Sequence, residues 1–355
     1  MKVGFIYGQK TYPPGTGGSI HGYQLTKCLT QRGIELFSFY WGETNNPWIS
    51  HLRGRELFKF LSLVDILYLR VEWKGGAEQF SLLKLLRFFK LPVVWEINGT
   101  PEEMLYTSGV TNRDIKKVER RLFILGRLVN ATVCVTDEIR EYSINKLKLT
   151  NVHCIPNGSD PDLFFPAQKN LEIGFNSPLK VVWVGTTHAG WQDMDILFQA
   201  MKKLENHNIE FWIFGNSKFL PNETPKNLLI KGIVSYEKIG EILGKADVGV
   251  HLFRNDILNK PVLGSPLKVF DYMASGLAVV TQANGQRRKL LEEEECGLAV
   301  SGDVDDLCRA LLFLERNRNL CYEMGQKGRS AVEKYYNWGR VANETIKLLE
   351  KTMNK

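Results

Sequence analysis

The chain is poor in sulfur pattern and in long apolar runs, and each shortage removes a class of function. Its six cysteines (Cys28, Cys134, Cys154, Cys296, Cys308 and Cys321) contain no Cys-x-x-Cys pair and no histidine at metal-ligand spacing, so no metal framework can be read from them. They are expected to be reduced cytoplasmic thiols, mostly buried. The longest apolar runs, such as Leu179 to Gly185, fall far short of the roughly 20 residues that a membrane-spanning helix needs. Met1 leads directly into Lys2-Val3-Gly4-Phe5-Ile6-Tyr7, an apolar segment too short for a signal peptide, and no export is expected. Short-period repeats and low-complexity tracts are also missing.

What remains is an ordinary folded composition: 355 residues, 44% hydrophobic and 24% charged. That length predicts two domains, each long enough to bury a core. The net charge of +7 suits nucleic acid, anionic lipid or anionic substrate equally well, and does not choose among them.

Short β-branched runs alternate with longer amphipathic stretches, the pattern of parallel strands joined by crossover helices. Lys2 to Tyr7 reads as a first strand. A loop through Pro13-Pro14-Gly15-Thr16-Gly17-Gly18 and a helix from Ser19 to Gln31 follow, and Arg32-Gly33 stops the helix. Further strands are predicted at Ile34 to Tyr40, Ile66 to Arg70, Pro92 to Ile97, Ala131 to Thr136 and Val152 to Ile155. Between Pro156 and Pro178 the periodicity lapses, and an interdomain linker is expected there. The alternation then restarts, with strands at Lys180 to Val184, Ile209 to Phe214, Val248 to Leu252 and Ala278 to Thr281. Helices are predicted at Asp193 to Leu204, Leu267 to Ala274 and, at the end of the chain, Asn337 to Met353. The second half is therefore a second doubly wound α/β domain.

In open parallel sheets, ligands bind beyond the carboxyl ends of the strands, and three loops there stand out. Gly15-Thr16-Gly17-Gly18-Ser19-Ile20-His21 opens the first helix, where backbone N–H groups and glycines favour an anion. Ile20 takes the place of the last glycine of a dinucleotide fingerprint, so a nicotinamide cofactor is not expected. The plainer alternative is a turn with Ser19 as cap. Gly185-Thr186-Thr187-His188-Ala189-Gly190-Trp191 is the second loop, equally readable as a packed turn. In the third, Gly264-Ser265-Pro266-Leu267-Lys268-Val269-Phe270-Asp271, Ser265 is an expected N-cap and Pro266 an expected first helical residue. Lys268 and Asp271, three apart, share a face there, either to meet a phosphate and a ribose or as a surface ion pair.

The stretch Ser265 to Val280 resembles a signature of the retaining GT-B glycosyltransferases of family four, the glycosyl transferases group 1. That signature reads Ser-Pro-x-Lys-x-x-Glu-Tyr-Met-Ala-x-Gly-x-Pro-Val-Val. Other landmarks fall in the family's order: Gly15 to Gly33, then Ile155-Pro156-Asn157-Gly158-Ser159-Asp160 against its Ile-Pro-Asn-Gly-Val-Asp, Val184-Gly185, Ala246-Asp247-Val248 and Trp338. The resemblance implies two Rossmann-like domains facing a cleft. The first, residues 1–160, would bind the acceptor, with the C-terminal helix 337–355 crossing back onto it. The second, 178–336, would bind a nucleoside diphosphate sugar. Asp271 would hold the ribose, Lys268 and backbone N–H groups near Ser265 to Leu267, around Pro266, would hold the diphosphate, and Gly17 and Gly18 would close over the phosphates. Gly185, Thr186 and His188 would line the donor site, and Ile233 and Val234 would meet the base. No metal or cofactor is implied, because fixed cations and helix N-termini would meet the charge of the departing diphosphate.

Several positions depart from that pattern. Thr186 and Trp191 stand where the family has Arg and Lys, leaving Arg254, Lys260 and Lys268 as the available cations. Leu263 replaces the first acid of the paired-Glu variant, and Asn98 falls where a histidine is usual. Lys268, Asn98 and Arg254 are thus the candidate catalytic residues. Asp160-Pro161-Asp162 reads as a turn and not as a metal-binding Asp-x-Asp. Two basic amphipathic segments, Ser81 to Lys90 and Arg113 to Arg127, suit either an anionic membrane surface or a core-facing helix with a solvated edge. The expected function is transfer of a sugar to a saccharide or lipid-linked acceptor in envelope polysaccharide, glycolipid or glycan synthesis. Such a protein would be cytoplasmic, with a peripheral place on the inner face of the membrane as an option, and would bind no nucleic acid. The sequence leaves open a nucleotide-sugar epimerase or phosphorylase on the same fold, and a non-catalytic binding subunit.

Overall fold

The computed structural model describes the whole chain except residues 9, 40–45, 53–55, 71–89, 104, 106–109, 168–176, 187–191, 217–222, 255–263, 283–284 and 355. In chain order the elements are β1 (Lys2–Tyr7), α1 (Gly17–Thr30), β2 (Glu35–Phe39), β3 (Ser50–Leu52), α2 (Leu57–Leu63), β4 (Ile66–Arg70), β5 (Val93–Ile97), α3 (Asn112–Gly126), β6 (Ala131–Cys134), α4 (Asp137–Asn145) and β7 (Val152–Cys154). They continue with β8 (Leu179–Thr186), α5 (Met194–Lys203), β9 (Ile209–Asn216), β10 (Leu228–Gly232), α6 (Tyr236–Leu243), β11 (Val248–His251), α7 (Leu267–Ala274), β12 (Ala278–Gln282), α8 (Gly285–Glu294), β13 (Gly297–Val300), α9 (Val304–Arg316), α10 (Arg318–Lys334) and α11 (Trp338–Met353). The chain divides into two compact units. Unit 1 comprises Met1–Asn157, Pro261–Ser265 and Trp338–Lys355, and unit 2 comprises Gly158–Lys260 and Pro266–Asn337.

Unit 1 is built on a seven-stranded sheet in the order β3-β2-β1-β4-β5-β6-β7. Its pairings are parallel, with Gly4 opposite Leu67 and Leu67 opposite Val93. Unit 2 carries a six-stranded sheet in the order β10-β9-β8-β11-β12-β13, again parallel. Both are doubly wound, and the strand order reverses beside β1 in one and beside β8 in the other. Each sheet therefore has a crevice at the carboxyl ends of its central strands. Continuous apolar runs in those strands reflect cover on both faces. Trp95, Leu67 and Val93 pack with Leu122 and Ile139 in unit 1, and Val181, Val250 and Phe211 with Leu197 and Leu311 in unit 2.

Two expectations change in detail. First, α1 starts at Gly17 and not at Ser19, because Thr16 is its N-cap and Ser19 completes a reciprocal capping box. Second, the segment after Asn157 is not a linker. Arg329 donates through Nη1 to the carbonyls of Pro161, Phe164 and Ala274 at 3.0, 2.5 and 2.8 Å, and the Ala167 amide bonds to the Gly244 carbonyl, so residues 158–167 are part of unit 2. The last helix, α11, belongs to unit 1, where it lies against α1, and Arg32 Nε donates to Asn343 at 2.6 Å. The basic helix α3 buries Ile115, Val118, Leu122 and Leu125 and leaves Arg113, Lys116, Lys117, Arg120 and Arg121 in solvent. It is a core-facing helix with a solvated basic edge; of its companion segment Ser81 to Lys90, all but Lys90 lies outside the described residues. No helix among the described residues is long and apolar enough to cross a membrane.

Candidate functional site

In unit 1 a charged cluster fills the crevice beside β1. Glu96 sits in the buried run Val93-Val94-Trp95-Glu96-Ile97 of β5 and is 1% exposed. His21, on α1, places Nε2 3.1 Å from Glu96 Oε1, and Arg70, the last residue of β4, places Nη1 3.6 Å from the same oxygen. The Tyr68 hydroxyl donates to Glu96 Oε2, and the Arg70 guanidinium donates to the Tyr7 hydroxyl. Burial alone would raise the Glu96 carboxyl, but His21, Arg70 and the Tyr68 hydroxyl outweigh it and hold it at about 2. Beyond the carboxylate, His21 Nδ1 lies 2.9 Å from Asn157 Oδ1, and Asn157 Nδ2 donates to the Ser265 carbonyl at 2.8 Å. Both imidazole nitrogens thus face side-chain oxygens. Trp338 closes the cluster edge-on at 5.1 Å from the His21 ring. Nearby, burial raises the Glu103 carboxyl to about 8, with Glu102 adding to it and Arg70 opposing.

In unit 2 the crevice beside β8 holds Lys268. From the first turn of α7 its ammonium reaches back to the strand ends, donating to Gln192 Oε1 at 2.8 Å and lying 4.5 Å from the centre of the Trp183 ring. It rests on Gly185, whose φ is +151°; a Cβ there would come within 2.7 Å of Nζ, so only glycine leaves room. Among the described residues no carboxylate answers this charge, and burial alone brings its pKa down to about 7. The surroundings are rigid. Gln192 bridges to Phe253, the Gln282 side chain bonds both the amide and the carbonyl of Phe253, and the Arg287 guanidinium stacks 4.2 Å over that ring. His251, at the end of β11, is held neutral by its burial first and then by the Lys268 and Arg287 charges. On the outer side, the Tyr272 hydroxyl receives the Val184 amide at 3.0 Å and locks α7 to β8.

Asp271, one turn beyond Lys268, points elsewhere. Its Oδ1 accepts from Ser159 Oγ at 2.6 Å, and burial raises its carboxyl to about 7, with the Ser159 bond opposing and Asp160 adding. Lys268 and Asp271 are therefore not the surface ion pair that their spacing allows.

The other predicted residues separate. Ser265 is not the N-cap of α7. Pro266 occupies that position with extended backbone (φ −70°, ψ 116°), the helix starts at Leu267, and no side chain caps it. The Ser265 carbonyl is already engaged by Asn157, its hydroxyl has no hydrogen-bond partner among the described residues, and the boundary between units runs between Ser265 and Pro266. Gly17 begins α1 and the Gly18 carbonyl accepts from the Tyr7 hydroxyl at 3.3 Å. Asn98 has its amide oxygen buried with no hydrogen-bond partner among the described residues. Arg254 is exposed; burial raises the carboxyl of Asp193, the N-cap of α5, and the Arg254 charge is one of the weaker influences opposing it. Ile233 is 78% exposed in the loop after β10, with Val234 half-buried beside it. The backbone of Thr186 ends β8, while His188, Trp191, Lys260 and Leu263 lie outside the described residues. Asp160 Oδ1 accepts from the Asp162 amide at 3.2 Å, the turn expected there.

Residues 178–317 match the family model described as glycosyl transferases group 1. That stretch is similar to a group 1 glycosyltransferase domain. The chain is 22% identical over 244 residues to an MMP alpha-(1->4)-mannosyltransferase of Mycolicibacterium hassiacum. The match takes in 67% of this chain and 56% of the relative, so the chain aligns with about half of that enzyme's length. Among solved structures, sucrose-phosphate synthase from Thermosynechococcus elongatus superposes with a TM-score of 0.72 at 16% identity, covering 100% of this chain and 99% of the other. The Anabaena protein Alr3699/HepE in complex with UDP and glucose superposes with a TM-score of 0.73 at 12% identity, covering 99% and 100%. At these identities the likeness is one of fold, and the fold is GT-B. The matched residues include Lys268 and Asp271, but most of the unit 1 cluster lies outside them.

Three groups of site residues escape the sequence reading: Tyr7, Arg70 and Glu96 in unit 1, Trp183 and Gln192 around Lys268, and Ser159 beside Asp271. An acid inside a run as apolar as Val93 to Ile97 is the one signal that would have found Glu96 without a structure, because such a charge is retained only with partners.

Proposed function

We propose that the protein transfers a sugar from a nucleoside diphosphate sugar to a saccharide or lipid-linked acceptor, with retention of anomeric configuration, in envelope polysaccharide, glycolipid or glycan synthesis. The observation that carries this reading is the ammonium of Lys268, met by no carboxylate among the described residues, at the carboxyl ends of the unit 2 strands, on glycine and next to a helix N-terminus. A buried cation without a carboxylate is stabilised by an anionic ligand, and a departing diphosphate develops the charge that such a group meets best. Asp271 accepts from the ribose, and unit 1 takes the acceptor. No metal is required in this reading, since Lys268 and the amides opening α7 would face the diphosphate. Support comes from the Anabaena protein of the same fold, solved with UDP-glucose, and from the mannosyltransferase relative. Six free cysteines agree with a reducing, cytoplasmic setting.

The experiment is turnover. Purified protein is incubated with a panel of nucleotide sugars, with and without candidate acceptors, and nucleoside diphosphate is measured. One nucleotide sugar releasing its diphosphate, faster with acceptor present, is expected; no release and no binding across the panel would remove the transferase reading.

A further inference from the structure

We infer that Ser159 is a positioning residue for Asp271, and that the two form a matched replacement of the valine and glutamate that the family pattern carries at these positions. This rests on the reading of Asp271 as a donor contact. Two departures 112 residues apart in the chain meet in one hydrogen bond, Ser159 Oγ to Asp271 Oδ1 at 2.6 Å. Aspartate draws the carboxylate back by one methylene, about 1.5 Å, and valine has no donor to meet it there. Serine has one. A hydroxyl on a carboxylate at this distance is a charge-assisted bond, among the stronger kinds.

The hydroxyl is itself held in place from two sides. Ser159 N donates to the Tyr336 carbonyl at 2.9 Å, and Ser159 forms a parallel bridge with Asn337. Gly158, just before it, is packed so closely that a Cβ would come within 2.7 Å of the Tyr336 oxygen and the Asn337 carbonyl carbon. On the other side Arg329 joins the carbonyls of Pro161 and Phe164 to that of Ala274, the last residue of the helix carrying Asp271. The donor segment and the acceptor helix are thus clamped by one guanidinium, so the bond holds one Asp271 oxygen and fixes the direction of the other.

The test is a set of variants assayed with the active nucleotide sugar. Ser159→Ala is expected to raise its KM about ten- to hundredfold with a smaller change in kcat, and to move the acidic limb of kcat/KM to higher pH, since Asp271 without its donor stays protonated longer. Ser159→Thr, which keeps the hydroxyl, should retain activity. Asp271→Glu alone should be impaired, and Ser159→Val with Asp271→Glu should return within about threefold of the parent. Wild-type turnover that survives Ser159→Ala with KM and the pH limb unchanged would overturn the inference and leave the function standing. An equally impaired single and double variant would also overturn it, because the pair would then not be matched. Loss of turnover in the wild type would instead count against the function. A melting temperature for each variant keeps misfolding separate from positioning.

Discussion

Lys268→Ala is expected to lower nucleotide-sugar turnover by about 10² to 10³, the cost of removing one fixed group that meets charge in the transition state. It should do so without loss of stability, and this combination identifies the residue. A buried ammonium whose pKa is brought down to about 7 by burial is a group the folded state tolerates poorly when charged. Its hydrogen-bond acceptor among the described residues is the neutral Gln192, and nothing on the described surface of the crevice neutralises it. Lys268→Met, which fills the space beside Trp183 without the charge, should therefore melt no lower than the parent while losing the same turnover. Turnover within threefold of wild type would take Lys268 out of the donor site. A large fall in melting temperature would show that the ammonium is structural.

Glu96→Gln should have the opposite signature, a large loss of stability. Glu96 is the common anion of His21 and Arg70 and the acceptor of Tyr68. Removing one partner of a buried ionic group typically costs about 3–5 kcal/mol, mostly through the charges left behind. For a chain of this size that is a fall in melting temperature of roughly 4–7 °C. The sign with pH follows from the depressed carboxyl. Its value of about 2 in the fold lies below the unfolded value near 4.3, so the stabilisation is fully present above about pH 4.3 and is lost as pH falls towards 2. The variant should show a shallower loss of stability over that interval than the wild type. Equal melting curves for the two at neutral pH would mean that the cluster contributes nothing to the fold.

The two clusters also show what the sequence disclosed. Central strands such as Lys2–Tyr7, Ile66–Arg70 and Val248–His251 are apolar on both faces and stand out within a residue or two. The edge strands Ser50–Leu52, Leu228–Gly232 and Gly297–Val300 do not, because they are partly exposed and lack the apolar run. Lys268 and Asp271 were legible because their spacing sits inside a recognisable motif. Their partners were not. Gln192 precedes Lys268 by 76 residues and Ser159 precedes Asp271 by 112, and no local rule links positions so far apart. The misplaced N-cap at Ser265 has the same origin: locally Ser-Pro opens a helix well, but the Ser265 carbonyl is spent on Asn157, whose own orientation His21 sets.

The most direct test of the account is nucleoside diphosphate binding measured from pH 6 to 9 for the wild type and for Lys268→Arg. If the diphosphate is held by an ammonium that titrates near 7 in the free protein, affinity should fall above that pH by up to about tenfold per unit. Arginine, which stays charged throughout, should bind with little pH dependence over the same interval. A wild-type affinity that is flat from pH 7 to 9, or binding that is equally strong in Lys268→Ala, would contradict the placement of the diphosphate at Lys268.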